Sequence, residues 1–289
     1  MTNVSAAPAN FIGCDVGKTN IVVFDSRTSQ TRTIANRAAD LARFAATLDN
    51  TCLAICEATG GHEDGLLRAL LKAGRAAHRA DARKVKAFIR SFGTLGKTDA
   101  IDARALATYG RERHATLVRW QAPDPQRERL QALVLTRRDL IVDRQAYRNR
   151  LSAPGAAAVK RQLGKLLKSF DQQVEDITRE IAALIRAHKG LADAEKAIRG
   201  IIGIGETTAA ALLALLPELG RLNRREIASL AGLAPHPNQS GATDAYRRTR
   251  GGRPEVKRVL FMAAMVAAKN DPKQRSFYER LLSQGKKPL

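Results

Sequence analysis

The sequence is poor in aromatic residues, in cysteine and in acid, and it has no long apolar run. Phe, Tyr and Trp make up 4% of 289 residues, with a single tryptophan. Stacking on exposed bases is therefore not the expected route to a nucleic acid, whereas phosphate contacts by Arg and Lys are. Three cysteines, Cys14, Cys52 and Cys56, form an odd count without the spacing of a disulfide framework or a four-ligand zinc site. They read as small buried hydrophobes. The longest apolar run, Val259 to Ala268, lies between Arg258 and Lys269 and is about half of what spans a bilayer, so no transmembrane helix and no membrane partner are expected. Met1 to Asn10 lacks the basic start and apolar centre of a secretion signal, which predicts a cytoplasmic protein.

What the chain does have is positive charge. Lys and Arg number 49 against 28 Asp and Glu, a net charge of +21 with a pI near 10.7. Such a field repels itself unless a polyanion neutralises it, and nucleic acid is the leading partner. With 44% hydrophobic residues and 31 Gly and Pro positions in all, the chain is globular rather than low-complexity, and its length suits about two domains.

Ile12 to Asp25 places β-branched clusters around a Gly-Lys-Thr-Asn turn, predicting strand, turn and strand. A third strand is expected at Gln30 to Ala35, a helix at Ala38 to Leu48 and a buried strand at Thr51 to Cys56, ending at Glu57 before Gly60-Gly61. A helix through Leu66 to Leu71, a strand near Ala76 to Arg79 and a helix from Asp81 to Arg90 follow. This order indicates an α/β or α+β domain reaching about residue 120. Pro123 and Pro125 mark a boundary, beyond which Arg127 to Lys189 reads as two long helices broken at Ser152-Ala153-Pro154-Gly155. In the second helix, Val159, Leu163, Leu166, Phe170, Val174, Ile177, Ile181 and Leu184 recur at steps of 4 and 3, a coiled-coil seam that suits either an antiparallel hairpin or a dimer interface. From Gly190 a third region opens. Gly203 and Gly205 would let backbone N–H groups face an anion at the start of an apolar helix, and nine basic residues face three acids between Arg221 and Arg258.

Four carboxylates are candidates for chemistry. Asp15 lies mid-strand in apolar company and Glu57 ends another strand, while Asp99 and Asp102 stand three apart, on one helix face. A carboxylate among Ile12, Cys14 and Val16 needs a cationic partner. Mg²⁺ takes oxygen ligands of this kind and stabilises the entering and departing oxygens of phosphoryl displacement. Thr98-Asp99 is equally an ordinary helix start, and Asp25, Glu63 and Asp64 are assigned to solvent or turns. Ser240 sits in an irregular stretch rich in turn residues, followed by Arg247, Arg248, Arg250, Arg253, Lys257 and Arg258. A phosphodiester brought there would meet several guanidinium groups; His236 reads as a loop residue.

The ordered motifs GCDVGKTN, CEATGG, GKTDAIDAR, IIGIGETTAAALLALLPELGRL, ASLAGLAP, SGATDAYRRTRGGRPEVKRVLFMAA and FYERLL resemble the DEDD transposases of bacterial insertion elements, which include the Piv/MooV invertases and the bridge-RNA-guided recombinases. The resemblance covers essentially the whole chain. It implies a RuvC-like (ribonuclease-H-like) catalytic domain at 1–122, a helical coiled-coil insertion at 123–189 and a mainly α-helical transposase domain at 190–289. It maps an acidic, Mg²⁺-binding tetrad onto Asp15, Glu57, Asp99 and Asp102 and the serine that attacks DNA onto Ser240. Nucleic-acid contacts are expected from Lys97, from a helix-hairpin-helix-like turn at Gly203 and Gly205, and from Arg247, Arg248, Arg250, Arg253, Lys257 and Arg258. Double-stranded DNA is the implied partner; some members use a structured guide RNA and work as dimers that pair into tetramers. Relatives continue past the Gly285-Lys286-Lys287 segment into another apolar helix, so a chain ending at Leu289 is expected to expose apolar surface there. Three other readings stay open: a RuvC-like junction resolvase, a non-catalytic nucleic-acid-binding relative, and an actin-like kinase, suggested by Asp15-Val16-Gly17-Lys18-Thr19 but opposed by the charge and by the missing second phosphate loop.

Overall fold

The structure is a computed structural model describing residues 7–93, 96, 98–240, 243–245 and 247–287, with backbone only at 238, 240 and 243–245. It divides into two compact units, 1–122 and 123–289.

The first unit is built on a five-stranded mixed sheet. Its strands are β1 (Asn10–Val16), β2 (Asn20–Asp25), β3 (Gln30–Ala35), β4 (Cys52–Glu57) and β5 (Ala76–Ala80), in the order β3-β2-β1-β4-β5. β1, β2 and β3 pair antiparallel, while β4 runs parallel to both β1 and β5. β1 and β4 are apolar on both faces because both are covered. Ile12, Cys14, Val16, Cys52, Ala54 and Cys56 pack under α1 (Ala38–Thr47) and α2 (Asp64–Lys72). Phe11, Leu53 and Ile55 pack on the other side, under α3 (Ala82–Ser91) and α4 (Asp99–Arg113). The edge strand β3, Gln-Thr-Arg-Thr-Ile-Ala, is exposed over its first four residues, as a polar sheet margin should be. All three cysteines are buried; burial pushes the Cys14 thiol up to about 12 and raises that of Cys56 well above its usual value.

The second unit is mainly helical: α5 (Pro125–Leu151), α6 (Lys160–Ala187), α7 (Lys189–Arg199), α8 (Glu206–Leu215), α9 (Arg224–Leu230), α10 (Pro254–Asn270) and α11 (Pro272–Ser283), with a two-stranded hairpin of β6 (Asn238–Ser240) and β7 (Thr243–Ala245). Asp124 caps α5 through the Gln126 amide at 2.8 Å, with Pro125 at the first turn. α5 and α6 form an antiparallel hairpin within the chain, joined by Arg129 to Glu180 (2.6 Å), Arg137 to Thr178 (2.7 Å), Arg144 to Asp171 (2.8 Å) and Tyr147 to Phe170 (ring centroids 5.5 Å). The regular seam of α6 divides in two. Ile181 and Leu184 are buried in a core shared with α5, α7, α8 and α10, and Val174 is buried as well, whereas Val159 and Leu166 are exposed. α8 is apolar all round because that core surrounds it. α10 and α11 leave Phe261, Met262, Met265, Phe277 and Tyr278 exposed.

The stretch around Ser240, expected to be irregular, holds the β6–β7 hairpin. Backbone pairing extends beyond it through the Pro235 and Thr249 bridge and the His236 amide on the Arg248 carbonyl at 3.1 Å. Turn-rich composition hides such a ladder because main-chain groups, not side chains, close it.

Candidate active site

Asp15 is half-buried near the C-terminal end of β1. β1 and β4 pair in register up to Cys14 with Cys56, so one step further Asp15 and Glu57 occupy neighbouring positions on the same face. That face also carries Gly13 and Ile55, and α4 lies on it. A Cβ at Gly13 would sit 1.8 Å from the Ala103 carbonyl oxygen and 2.7 Å from the Ala107 nitrogen, and one at Gly110 would sit 2.2 Å from Ile55 Cδ1 and 3.3 Å from Phe11 Cδ1. Residue 103 thus lies over Gly13 and residue 110 over Phe11, so α4 runs antiparallel to β1. Its first turn, with Asp99 and Asp102, extends toward the end of the sheet that carries Asp15 and Glu57. Asp99 continues the stripe of Ala103, Leu106 and Gly110 that faces the sheet. The Thr98 hydroxyl accepts from the Ile101 amide at 3.2 Å and caps this turn, where carboxylates also face the positive end of the helix dipole.

The donor chemistry, four carboxylates and no soft ligand, suits a hard divalent cation. Among the described residues no group of three or more His, Cys, Asp or Glu side chains forms an ion cage. The backbone directs the four acids to one edge of the sheet, and their oxygens do not converge there.

The loops after Asp15 and Glu57 are tied together by residues that the sequence did not single out. Asn36 Nδ2 donates to the Gly17 carbonyl at 2.9 Å and to the His62 carbonyl at 3.1 Å. Glu63, assigned to solvent or a turn, is instead 2% exposed. Its Oε2 accepts from the amide and hydroxyl of Thr59 (3.1 and 3.0 Å) and from the Gly61 amide (2.9 Å). Burial pushes this carboxyl up, but the hydrogen bonds from its own backbone, Thr59 and Gly61 outweigh it, and the net shift is downward. An acid just after Gly-Gly reads as a solvent or turn residue; only the fold of residues 58–63 turns it inward. Asp25 does serve a turn, accepting from the Arg27 amide at 2.9 Å.

In the second unit, Ser240 ends β6 and pairs with Thr243 of β7, placing its backbone beside the hairpin turn. Arg247, Arg248, Arg250 and Arg258 are exposed and Lys257 is half-buried, with its Nζ on the Thr249 hydroxyl at 2.7 Å. Arg253 is committed within the unit, forking onto Glu218 at 2.6 and 2.7 Å and reaching the Leu215 carbonyl at 2.8 Å. His236 Nε2 lies 3.2 Å from the Arg250 carbonyl, as a loop residue. Gly203 adopts φ +96° and backs onto α10, where a Cβ would lie 2.4 Å from the Ala263 carbonyl oxygen; Gly205, before α8, faces open space. Lys97 lies outside the described residues.

The first unit is a mixed sheet covered by helices with acids directed to one edge, and the second is helical and basic. Residues 12–154 match the IS110-type DEDD transposase model, and residues 195–279 match the Transposase IS116/IS110/IS902 family. The chain belongs to this family of DNA transposases and recombinases. It is 27% identical over 237 residues to the pilin gene-inverting proteins of Moraxella lacunata and Moraxella bovis, covering 80% of this chain and 72% of each of those. It is also 30% identical over 126 residues to a 43.6 kDa protein of insertion element IS110 from Streptomyces coelicolor, covering 43% of this chain and 30% of that one. No helix among the described residues is long and apolar enough to cross a membrane.

Proposed function

We propose that the protein cuts and rejoins double-stranded DNA with Mg²⁺ held by Asp15, Glu57, Asp99 and Asp102 and with Ser240 as the attacking group. The observation that carries this reading is the antiparallel course of α4 over β1, which sends two helical carboxylates toward the sheet edge of Asp15 and Glu57. The strand order supports a RuvC-like first unit. The cation supplies charge neutralisation at the reacting phosphate.

The Ser240 oxygen forms a bond to phosphorus as the bond from phosphorus to the departing deoxyribose oxygen breaks. The serine gives up its proton to a base and the departing oxygen gains one. Return attack by a strand hydroxyl on the phosphoserine rejoins DNA without ATP, because the covalent link conserves the phosphodiester. The exposed Arg247, Arg248, Arg250 and Arg258, together with Lys257, hold phosphates, as does the Gly203–Gly205 turn in the manner of a helix-hairpin-helix. Arg253 shapes that surface through Glu218. The names of the pilin gene-inverting relatives favour inversion of a DNA segment as one outcome. A structured RNA that chooses the sites, and a dimer that pairs into a tetramer, complete the proposal from the family resemblance.

Labelled duplex DNA incubated with Mg²⁺ tests it. Ser240→Ala is expected to form no covalent protein–DNA adduct, and an adduct from that variant overturns the nucleophile. Asp15→Asn and Asp102→Asn are expected to lose strand cleavage while still binding DNA; full cleavage by either overturns the metal site. Nicking by Ser240→Ala without an adduct identifies a water-using resolvase instead.

A further inference from the structure

The α5–α6 hairpin carries a charge pattern that the proposed active site does not use. From residue 144 to residue 170 there is no acid, while Arg144, Arg148, Arg150, Lys160, Arg161, Lys165 and Lys168 fall within that span. Three of these are engaged on α5: Arg144 and Arg148 pair with Asp171 at 2.8 and 3.6 Å, and Arg150 lies over the Tyr147 ring at 4.6 Å. The other four belong to the first turns of α6. All are exposed, and none makes an ion pair among the described residues.

Their placement is ordered. At 100° per residue, Lys160, Arg161, Lys165 and Lys168 fall within an arc of about 140°. Leu163 and Phe170 lie on the other side of the helix, where Phe170 meets Tyr147 of α5. The stripe is bounded along the helix: Asp171, Glu175 and Asp176 follow, so positive charge is confined to the hairpin tip. The first buried residue of α6 is Val174, so Lys160 lies about 21 Å of helix beyond the core. Val159, the residue before the helix, provides no side-chain cap, and the helix dipole adds to the positive potential at the same end.

We infer that this tip is a sequence-independent clamp for the phosphate backbone of duplex DNA, separate from the basic segment around Ser240. Four exposed cations on one helical face, with no aromatic or acidic side chain among them, match rows of phosphates rather than unstacked bases or an acidic protein with apolar anchors. An α-helix, about 10–12 Å across with its side chains, is admitted by the major groove of B-DNA, about 12 Å wide. The inference does not depend on the carboxylate or serine assignments, and its test is run in EDTA without cleavage.

Binding of the full chain to a 30-bp duplex lacking element sequence is measured against salt. In the variant K160Q/R161Q/K165Q/K168Q, the slope of log affinity against log salt is expected to fall by about 3 to 4. Between 50 and 200 mM salt the native chain then weakens about a hundredfold more than the variant. Glutamine is a good helix former, and circular dichroism is expected to be unchanged. A second variant, K72Q/K84Q/K196Q/K273Q, removes the same charge from exposed positions elsewhere and is expected to change the slope by less than half as much. An unchanged slope in the tip variant, or an equal change in both variants, overturns the proposal. So does a loss confined to duplex RNA of the same length.

Discussion

Gly13→Ala is the sharpest perturbation of the sheet and helix contact. The new Cβ would lie 1.8 Å from the Ala103 carbonyl oxygen, where real contacts essentially never fall below 3.0 Å, so strand and helix must separate by about 1.2 Å. Backbone stands on both sides, and no rotamer can relieve the clash. Overpacking of this kind costs about 1 to 3 kcal/mol, and an unyielding obstacle belongs at the upper end, equivalent to a fall in melting temperature of about 10 °C. The displaced helix carries Asp99 and Asp102, and a 1 Å error in a catalytic constellation costs about 100-fold in rate. Gly110→Ala is the matched control: its Cβ meets the Ile55 side chain at 2.2 Å, which can rotate, and Ile55→Val removes the Cδ1 it would strike. Calorimetry and a single-turnover cleavage assay read both effects. A Gly13→Ala protein that melts within a degree of the native chain and cuts at its rate refutes the close approach and the siting of the carboxylates drawn from it.

Glu63→Gln removes a charged acceptor from the Thr59 and Gly61 amides and is expected to destabilise the first unit by about 1 to 3 kcal/mol, read by urea titration. Because the folded carboxyl lies below its ordinary value, its contribution is complete above that value and is lost as pH falls through the lower, folded one. The native chain should therefore lose stability over that acidic window more steeply than Glu63→Gln, and parallel acid-unfolding curves would contradict this. Arg253→Lys keeps the charge but cannot fork onto Glu218 while also reaching the Leu215 carbonyl; about 1 kcal/mol of stability should go in this half-exposed setting, and an unchanged denaturation midpoint would deny Arg253 that role. A thiol reagent at pH 8 should modify none of the three cysteines in the folded chain and all of them in guanidinium, since the thiols are buried and those of Cys14 and Cys56 are shifted strongly upward. Rapid labelling without denaturant would show an opening that the sheet does not contain.

The alternation and length of apolar runs made the sheet legible: Thr51 to Cys56 was expected as a strand, and Cys52–Glu57 forms it. α1, α2 and α3 follow their apolar spacing within a residue or two, whereas the extent of α4 was not read from the sequence. What escaped was decided by backbone or by distant partners. The β6–β7 ladder is closed by main-chain groups inside a turn-rich segment, and the second half of α6 is buried in a core that α5, α7, α8 and α10 complete from distant parts of the chain. For the candidate site, residue type and element ends suggested Asp15, Glu57, Asp99 and Asp102, and the courses of β1 and α4 gave them a common direction. Asn36 and Glu63 stayed hidden because their roles consist of hydrogen bonds to loops 19 and 26, and 2 to 4, residues away, which carry no periodic signal.

The side-by-side placement of Asp15 and Glu57 makes the first unit sensitive to parity rather than to length. One residue inserted within β1 or β4 would turn every later side chain of that strand through the sheet, sinking an acid among the cysteines and lifting a thiol to the α4 side. Two residues inserted would restore the alternation, and any number added to the exposed β2–β3 turn would leave it untouched. Tolerance of insertions in this region should therefore alternate between odd and even.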